Sequence, residues 1–204
     1  MTKWALYLIM IAALSTGCAT HFPLTQRTGS IAASQIAYRI DDHRYFEVLP
    51  QEEFACTNAR LYYTDTVSGI HVNVTNWDRV SNGTLIIDAA NIDYLVTPII
   101  LSGASCETGD GASDLCAARL FYSQDGGRTW KTTISLLYGR VHLIGSLAYV
   151  GTLSVDVVDI SKDSIASPDW VRHSEDGFVI PAPKKAPLDV QPKCVSNFRG
   201  AIDE

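Results

Sequence analysis

Four consecutive residues, Asp41-Asp42-His43-Arg44, form the densest polar cluster in this 204-residue chain. A carboxylate beside an imidazole can hold and pass a proton, so the cluster has the composition of a general acid–base pair. A solvated turn explains the same residues more simply, because Asp caps turn amides and all four side chains are at home in water. The other histidines, His21, His71, His142 and His173, stand singly. His71 and His142 fall in strand-like runs and read as ordinary strand residues rather than ligands. Glu107, Asp110 and Asp114 form an acidic loop that could hold calcium, but the EF-hand spacing of ligands is absent. Gly-x-Ser-x-Gly, His-Glu-x-x-His and Gly-rich phosphate loops are absent as well. These residue types predict no catalytic centre, no metal and no cofactor.

The cysteines predict a structural role in an oxidising compartment. Setting Cys18 aside leaves Cys56, Cys106, Cys116 and Cys194, an even set without a CxxC pair and with no His close to a Cys. Four cysteines allow three pairings. The Gly/Asp-rich stretch between Cys106 and Cys116 can bring its ends together, which favours Cys106–Cys116 and leaves Cys56–Cys194 to tie the C-terminal tail to the body. The net charge of −6 argues against nucleic acid, which needs a basic face. It suits a basic protein partner.

Positioning falls to three segments. In the first, Lys3 precedes the apolar run Trp4–Leu14, followed by Ser15-Thr16-Gly17 and Cys18. A positive start, a short apolar run and small residues at a cleavage point read as a secretory signal, too short to span a bilayer. The end of the run resembles the bacterial lipobox, although Leu14 sits four residues before Cys18 rather than three. That resemblance implies lipidation at Cys18 and anchoring to the inner face of the outer membrane, with soluble release after ordinary cleavage near Ala19 as the alternative. The expected division is a signal peptide over 1–17, a lipidated N terminus and tether over 18–36, and a β domain over 37–204 that ends in a Pro-rich tail.

Within that domain, β-branched and aromatic runs alternate with Gly, Asn, Asp and Ser clusters. Strands are predicted at 45–49, 59–64, 70–74, 84–87, 94–101, 117–122, 132–137, 141–144 and 147–158. The run Ile86–Ile92 has the composition for a single helical turn. No stretch carries an amphipathic helical stripe over three turns. The Pro-rich tail from Pro181 to Pro192 is expected to be extended and packed on the surface.

The most specific internal motif is Tyr122-Ser-Gln-Asp-Gly-Gly-Arg-Thr-Trp130. Ser123, Asp125, Gly127, Thr129 and Trp130 match the Asp-box of sialidase-like β-propellers, where it is structural and lies away from the active site. Its residues suit a hairpin turn: Asp accepts turn amides, Gly supplies positive φ, and Trp packs beneath. Weaker echoes lie at Tyr63-Thr-Asp65 with Ser68-Gly69, and at His173 through Asp176-Gly177. Their spacing of about fifty to sixty residues is close to that of propeller blades. Three units cannot close a ring of about four to eight blades. Tyr38-Arg-Ile-Asp41 is similar to the Tyr-Arg-Ile-Pro segment that bears a sialidase substrate arginine, but Asp41 replaces Pro and the chain is too short for a catalytic propeller. The predicted fold is mainly β, a single domain of antiparallel, blade-like sheets forming a partial propeller or a sandwich-like pair.

The lipoprotein-like signal, Tyr38 through Glu47, Ile86 through Asn91, and Tyr122 through Trp130 together resemble one family. It comprises the periplasmic immunity lipoproteins for type VI secretion phospholipase effectors, specifically those of the third lipase class. The similarity runs from about Tyr38 to Leu137. It implies a protein without chemistry of its own that binds a cognate lipase effector and blocks it. Charge and loop placement nominate Asp41, Asp42 and Arg44, with Glu107, Asp110 and Asp114, as the contact surface. A structural or assembly lipoprotein of the envelope, or a carbohydrate-active enzyme, would be the alternatives.

Overall fold

The computed structural model describes residues 33–49, 59–77, 79–80, 83–102, 117–135, 137, 139–162, 165, 169–173 and 178–194. The signal segment, Cys18, Cys56, Cys106, Cys116 and the acidic residues Glu107, Asp110 and Asp114 lie outside them.

The described residues form strands and turns without a helix. The first sheet is a meander of β1 (Gln35–Arg39), β2 (Arg44–Leu49), β3 (Ala59–Asp65) and β4 (Ile70–Trp77). Alternation builds it: Phe46 and Val48 of β2, with Leu61 and Tyr63 of β3, point inward and are almost wholly buried. Tyr45, Glu47 and Tyr62 fall between them and stay partly exposed. The second sheet takes β5 (Arg79–Val80), β7 (Leu95–Val96), β8 (Ile100–Ser102), β9 (Ala117–Ser123) and β10 (Lys131–Ser135). The third takes β6 (Leu85–Ala89), β11 (Val141–Gly145), β12 (Leu147–Gly151), β13 (Val155–Asp159) and β14 (Val171–His173). Pairing is antiparallel except where β6 joins β11 in parallel, Leu85 opposite Val141. The chain reaches β6 before it builds most of the second sheet, so the second and third sheets interleave along the sequence.

One core joins all three sheets. Tyr38, Phe46 and Leu61 from the first pack in the same cluster as Leu95, Ile100 and Leu120 from the second and Leu85, Leu143 and Val158 from the third. Each fully buried Leu, Ile or Phe contributes roughly 1.5–3 kcal/mol of transfer free energy, so this shared core is what makes the sheets one unit.

The mainly β, single-domain expectation holds, with three sheets present. The helical turn at Ile86–Ile92 does not form. Leu85–Ala89 is a strand, because β11 offers a ladder partner on one side. The predicted strand 94–101 divides into β7 and β8 around Pro98, which has no N–H to give. Thr97 bridges the break, its amide donating to Phe121 O at 2.9 Å. The predicted strand 147–158 is the hairpin β12–β13. Gly151 turns it with φ +129, and a Cβ there would stand 2.1 Å from Ser154 O. β1 begins at Gln35, taking in the last two residues of the segment read as tether.

The tail is extended and straps two sheet edges. Asp189 Oδ2 accepts the Arg39 amide at 2.7 Å, and the Lys193 amide donates to Ala37 O at 2.8 Å. Across the gap, the Leu85 amide donates to Val190 O at 3.0 Å, and Asp88 Oδ2 accepts the Lys184 amide. The outer edges of β1 and β6, otherwise open to pairing with another chain, are thus covered. Cys194, at the end of the strap, is disulfide-bonded.

Candidate functional site

A concave site opens where the β1–β2 turn, the end of β6 and the strap meet. Its volume is about 370 Å³. Asp41, Asp42 and Arg44 line one wall, Asp88 and Ile92 a second, and Lys185 with Leu188 a third.

The first wall is built by Asp41. Its Oδ1 accepts the amides of His43 at 3.1 Å and Arg44 at 2.8 Å, while Oδ2 lies 2.6 Å from Arg44 Nε. Partial burial disfavours the charge, but the Arg44 guanidinium and the two amides outweigh it and hold the carboxyl below its ordinary value. Arg44, 15% exposed, also donates from Nη1 to Ile92 O at 3.2 Å. Asp41 thus closes the turn and anchors Arg44, and His43 Nδ1 stands 3.4 Å from the same Oδ1. Asp42, at the turn's tip, is exposed and makes no hydrogen bond or ion pair with any described residue.

The second wall is the turn after β6. Asn91 Oδ1 accepts the Asp93 amide at 3.1 Å, and Ile92 stands 62% exposed. On the strap, Lys185 is exposed without a partner among the described residues, and Leu188 is 58% exposed. Among the described residues, the cleft thus carries one carboxylate (Asp42) and one ammonium (Lys185) with neither a hydrogen bond nor an ion pair, and two apolar side chains at its rim.

Behind the cleft stands the turn after β9. Asp125 Oδ1 accepts the Ser123 hydroxyl at 2.8 Å and the Thr129 amide at 2.9 Å, and Oδ2 accepts the Thr129 hydroxyl at 2.6 Å. Burial pushes this carboxyl up, but these bonds prevail and its pKa is lowered. Gly126 and Gly127 take φ of +71 and +88. A Cβ on Gly127 would sit 2.2 Å from the Tyr63 ring of the first sheet. Trp130 donates from Nε1 to Gly127 O at 3.0 Å and meets Tyr63 and Phe46 edge to face, with centroids 5.7 and 5.8 Å apart. Gln124 donates from Nε2 to Ile160 O and Lys162 O in the turn that follows β13 of the third sheet. One turn therefore touches both other sheets.

The two turns are linked through adjacent carbonyls. Arg44 donates to Ile92 O, and the Gly126 amide donates to Asp93 O at 3.0 Å. Three segments distant in sequence, 38–47, 86–93 and 122–130, converge there. The Tyr63 hydroxyl nearby is buried with no hydrogen-bond partner among the described residues, and burial pushes its pKa to about 12 while the Arg44 charge pulls the other way.

Other nominated residues sit elsewhere. Asp65 caps the β3–β4 turn, accepting the Val67 and Ser68 amides at 3.0 and 3.1 Å, so that echo is also a turn. The echo at His173 runs into residues outside the described set. Arg39 lies on the surface, 5.8 Å from the Tyr45 ring centroid. His142 lies in β11, where burial lowers its pKa. His71, on β4, contacts Glu47 at 3.0 Å on the outer face of the first sheet. Among the described residues, no group of three or more His, Cys, Asp or Glu stands close enough to hold a metal ion. Sequence reasoning missed Ile92, Lys185 and Leu188. The only signal for Lys185 was a Lys-Lys pair interrupting the Pro-rich tail.

A comparison with curated proteins finds no match. The family model described as T6SS Tli3 immunity protein matches residues 31–151. That stretch is more than half of the chain and contains all three segments that converge behind the cleft. The chain belongs to the Tli3 family of type VI secretion system immunity proteins.

Proposed function

We propose that this immunity protein binds a phospholipase effector of the type VI secretion system in the periplasm and blocks it by occupying its surface stoichiometrically. The observation that carries this reading is the preformed cleft: a three-sheet body joined by one core presents a charged concavity with an apolar rim, and Asp41 braces the turn that forms one wall. A surface held rigid before encounter loses little freedom on binding, which favours a tight complex. The acidic balance of the chain speeds encounter with a cationic partner.

Location completes the reading. Lipidation of Cys18 would hold the protein at the inner face of the outer membrane, where an incoming effector arrives. Pairing of Cys106 with Cys116 and of Cys56 with Cys194 would brace the acidic loop and the strap. Glu107, Asp110 and Asp114 would then extend the contact surface beyond Asp41, Asp42 and Arg44. Ser123, Asp125, Gly127, Thr129 and Trp130 act in this account as a structural Asp-box that holds the cleft's backing in place.

Periplasmic co-expression with a type VI secretion phospholipase effector, tried first with one encoded next to this gene where there is one, tests the function. Cells carrying both proteins should grow as cells without the lipase do. Equal killing with and without the immunity protein would remove the lipase as its target.

A further inference from the structure

Most charged groups around the cleft are satisfied within the fold. Asp41 pairs with Arg44, Arg44 also holds Ile92 O, Asp88 accepts the Lys184 amide and Asp189 accepts the Arg39 amide. Two are not. Asp42 projects from the tip of the β1–β2 turn and Lys185 from the strap, each lining the cleft and each without a partner among the described residues. The turn that holds Asp42 is fixed by four backbone and side-chain bonds, from Ile40, Asp41, His43 and Arg44, and the strap on either side of Lys185 is pinned at Asp88 and Asp189. Both charges are therefore held on braced backbone rather than on loose ends. Beside them Ile92 and Leu188 keep 62% and 58% of their surface exposed.

Resting on the reading that the partner is a lipase effector, we propose that this cleft seats one loop of that effector, a loop presenting a cationic side chain to Asp42 and a carboxylate to Lys185, with an apolar side chain between Ile92 and Leu188. Charge complementarity sets the occupant. A purely cationic segment would leave Lys185 repelled, and a purely anionic one would leave Asp42 repelled, so only a segment carrying both signs leaves neither charge opposed. A cleft of about 370 Å³ admits a few side chains rather than a whole element, which matches the pocketed anchors that dominate protein interfaces. The same bipolar pattern makes the cleft selective, because an effector lacking either charge would bury the other without compensation.

The test uses the full-length protein and the purified phospholipase effector against which it protects in the periplasmic co-expression assay. Titration calorimetry compares the wild type with Asp42→Lys and Lys185→Glu. Each substitution should weaken binding tenfold or more, while the melting temperatures stay unchanged. In parallel, a benzophenone amino acid replaces Leu188 or, as a control, Leu153, which is 97% exposed on the β12–β13 turn at the other end of the third sheet. Irradiation should couple the effector to position 188 and not to 153. Affinities within threefold of wild type for both variants, or coupling at 153 alone, would overturn the cleft as the seat while leaving the lipase as the target. Failure of the wild type to bind this lipase would overturn the functional reading itself.

Discussion

The turns at Asp41 and Asp125 use the same device and end in opposite conditions. In each, an aspartate accepts amides of the following residues and its pKa is lowered as a result. At Asp125 the turn's own polar side chains are met: Thr129, Ser123, Trp130 and Gln124 all find partners, and Gly127 lies against Tyr63 with no room for a methyl group. At Asp41 the device ends in Arg44 and its bond to Ile92 O, and the next acid, Asp42, faces the cleft without a hydrogen bond or ion pair among the described residues. Turn chemistry alone does not separate a structural pin from a binding lip. What separates them is whether the turn's own polar side chains are satisfied by the fold.

Breaking the closed turn should unfold without selectively unbinding. Gly127→Ala places a methyl group into the Tyr63 ring at positive φ and should cost on the order of 3 kcal/mol. Thermal melting would show this as a drop of roughly 6–12 °C, with effector affinity retained below the new melting point. Asp125→Ala removes three accepted hydrogen bonds and should cost about 2 kcal/mol in denaturant unfolding. Because the folded pKa of Asp125 lies below its ordinary 3.8, its contribution is present above that value and disappears as the pH falls through the folded pKa. Stability measured between pH 6 and pH 2, a range of about 4 units spanning the carboxylate region, should therefore fall less steeply for Asp125→Ala than for the wild type.

At the open turn the balance should reverse. Arg44→Ala frees Asp41 and Ile92 O, and should cost about 1 kcal/mol of stability. Its larger effect should be on effector binding, read by calorimetry, because the lip loses its shape. Asp42→Ala and Lys185→Ala should change stability by less than about 0.5 kcal/mol in denaturant unfolding, since neither side chain touches a described partner. A clear loss of stability in either would show that the fold does use these charges.

The strands built on alternation were legible in the sequence. Phe46 and Val48, or Val141 and Leu143, declare a buried face by their spacing. The Ser123–Trp130 turn was legible too, because its chemistry is local. What the sequence hid is long-range. A strand was expected at 84–87, but its extension to Ala89 and its parallel pairing with β11, more than fifty residues later, were not legible, because nothing within Ile86–Ile92 announces that partner. The strands Arg79–Val80 and Val171–His173 are too short to show a period. One wall of the cleft is formed by the nominated Asp41, Asp42 and Arg44. The wall on the strap was hidden because an extended Pro-rich tail has no period, and only pairing through Asp88, Asp189 and Val190 brings Lys185 and Leu188 to the same cleft.

The most direct measurement of the central claim is inhibition of the purified lipase by this protein. Phospholipid hydrolysis should fall linearly with added protein and reach zero at one equivalent. Asp42→Lys and Lys185→Glu should need excess to do the same, and Gly127→Ala should still titrate at one equivalent in the cold. Undiminished hydrolysis at several equivalents of wild-type protein would contradict the account.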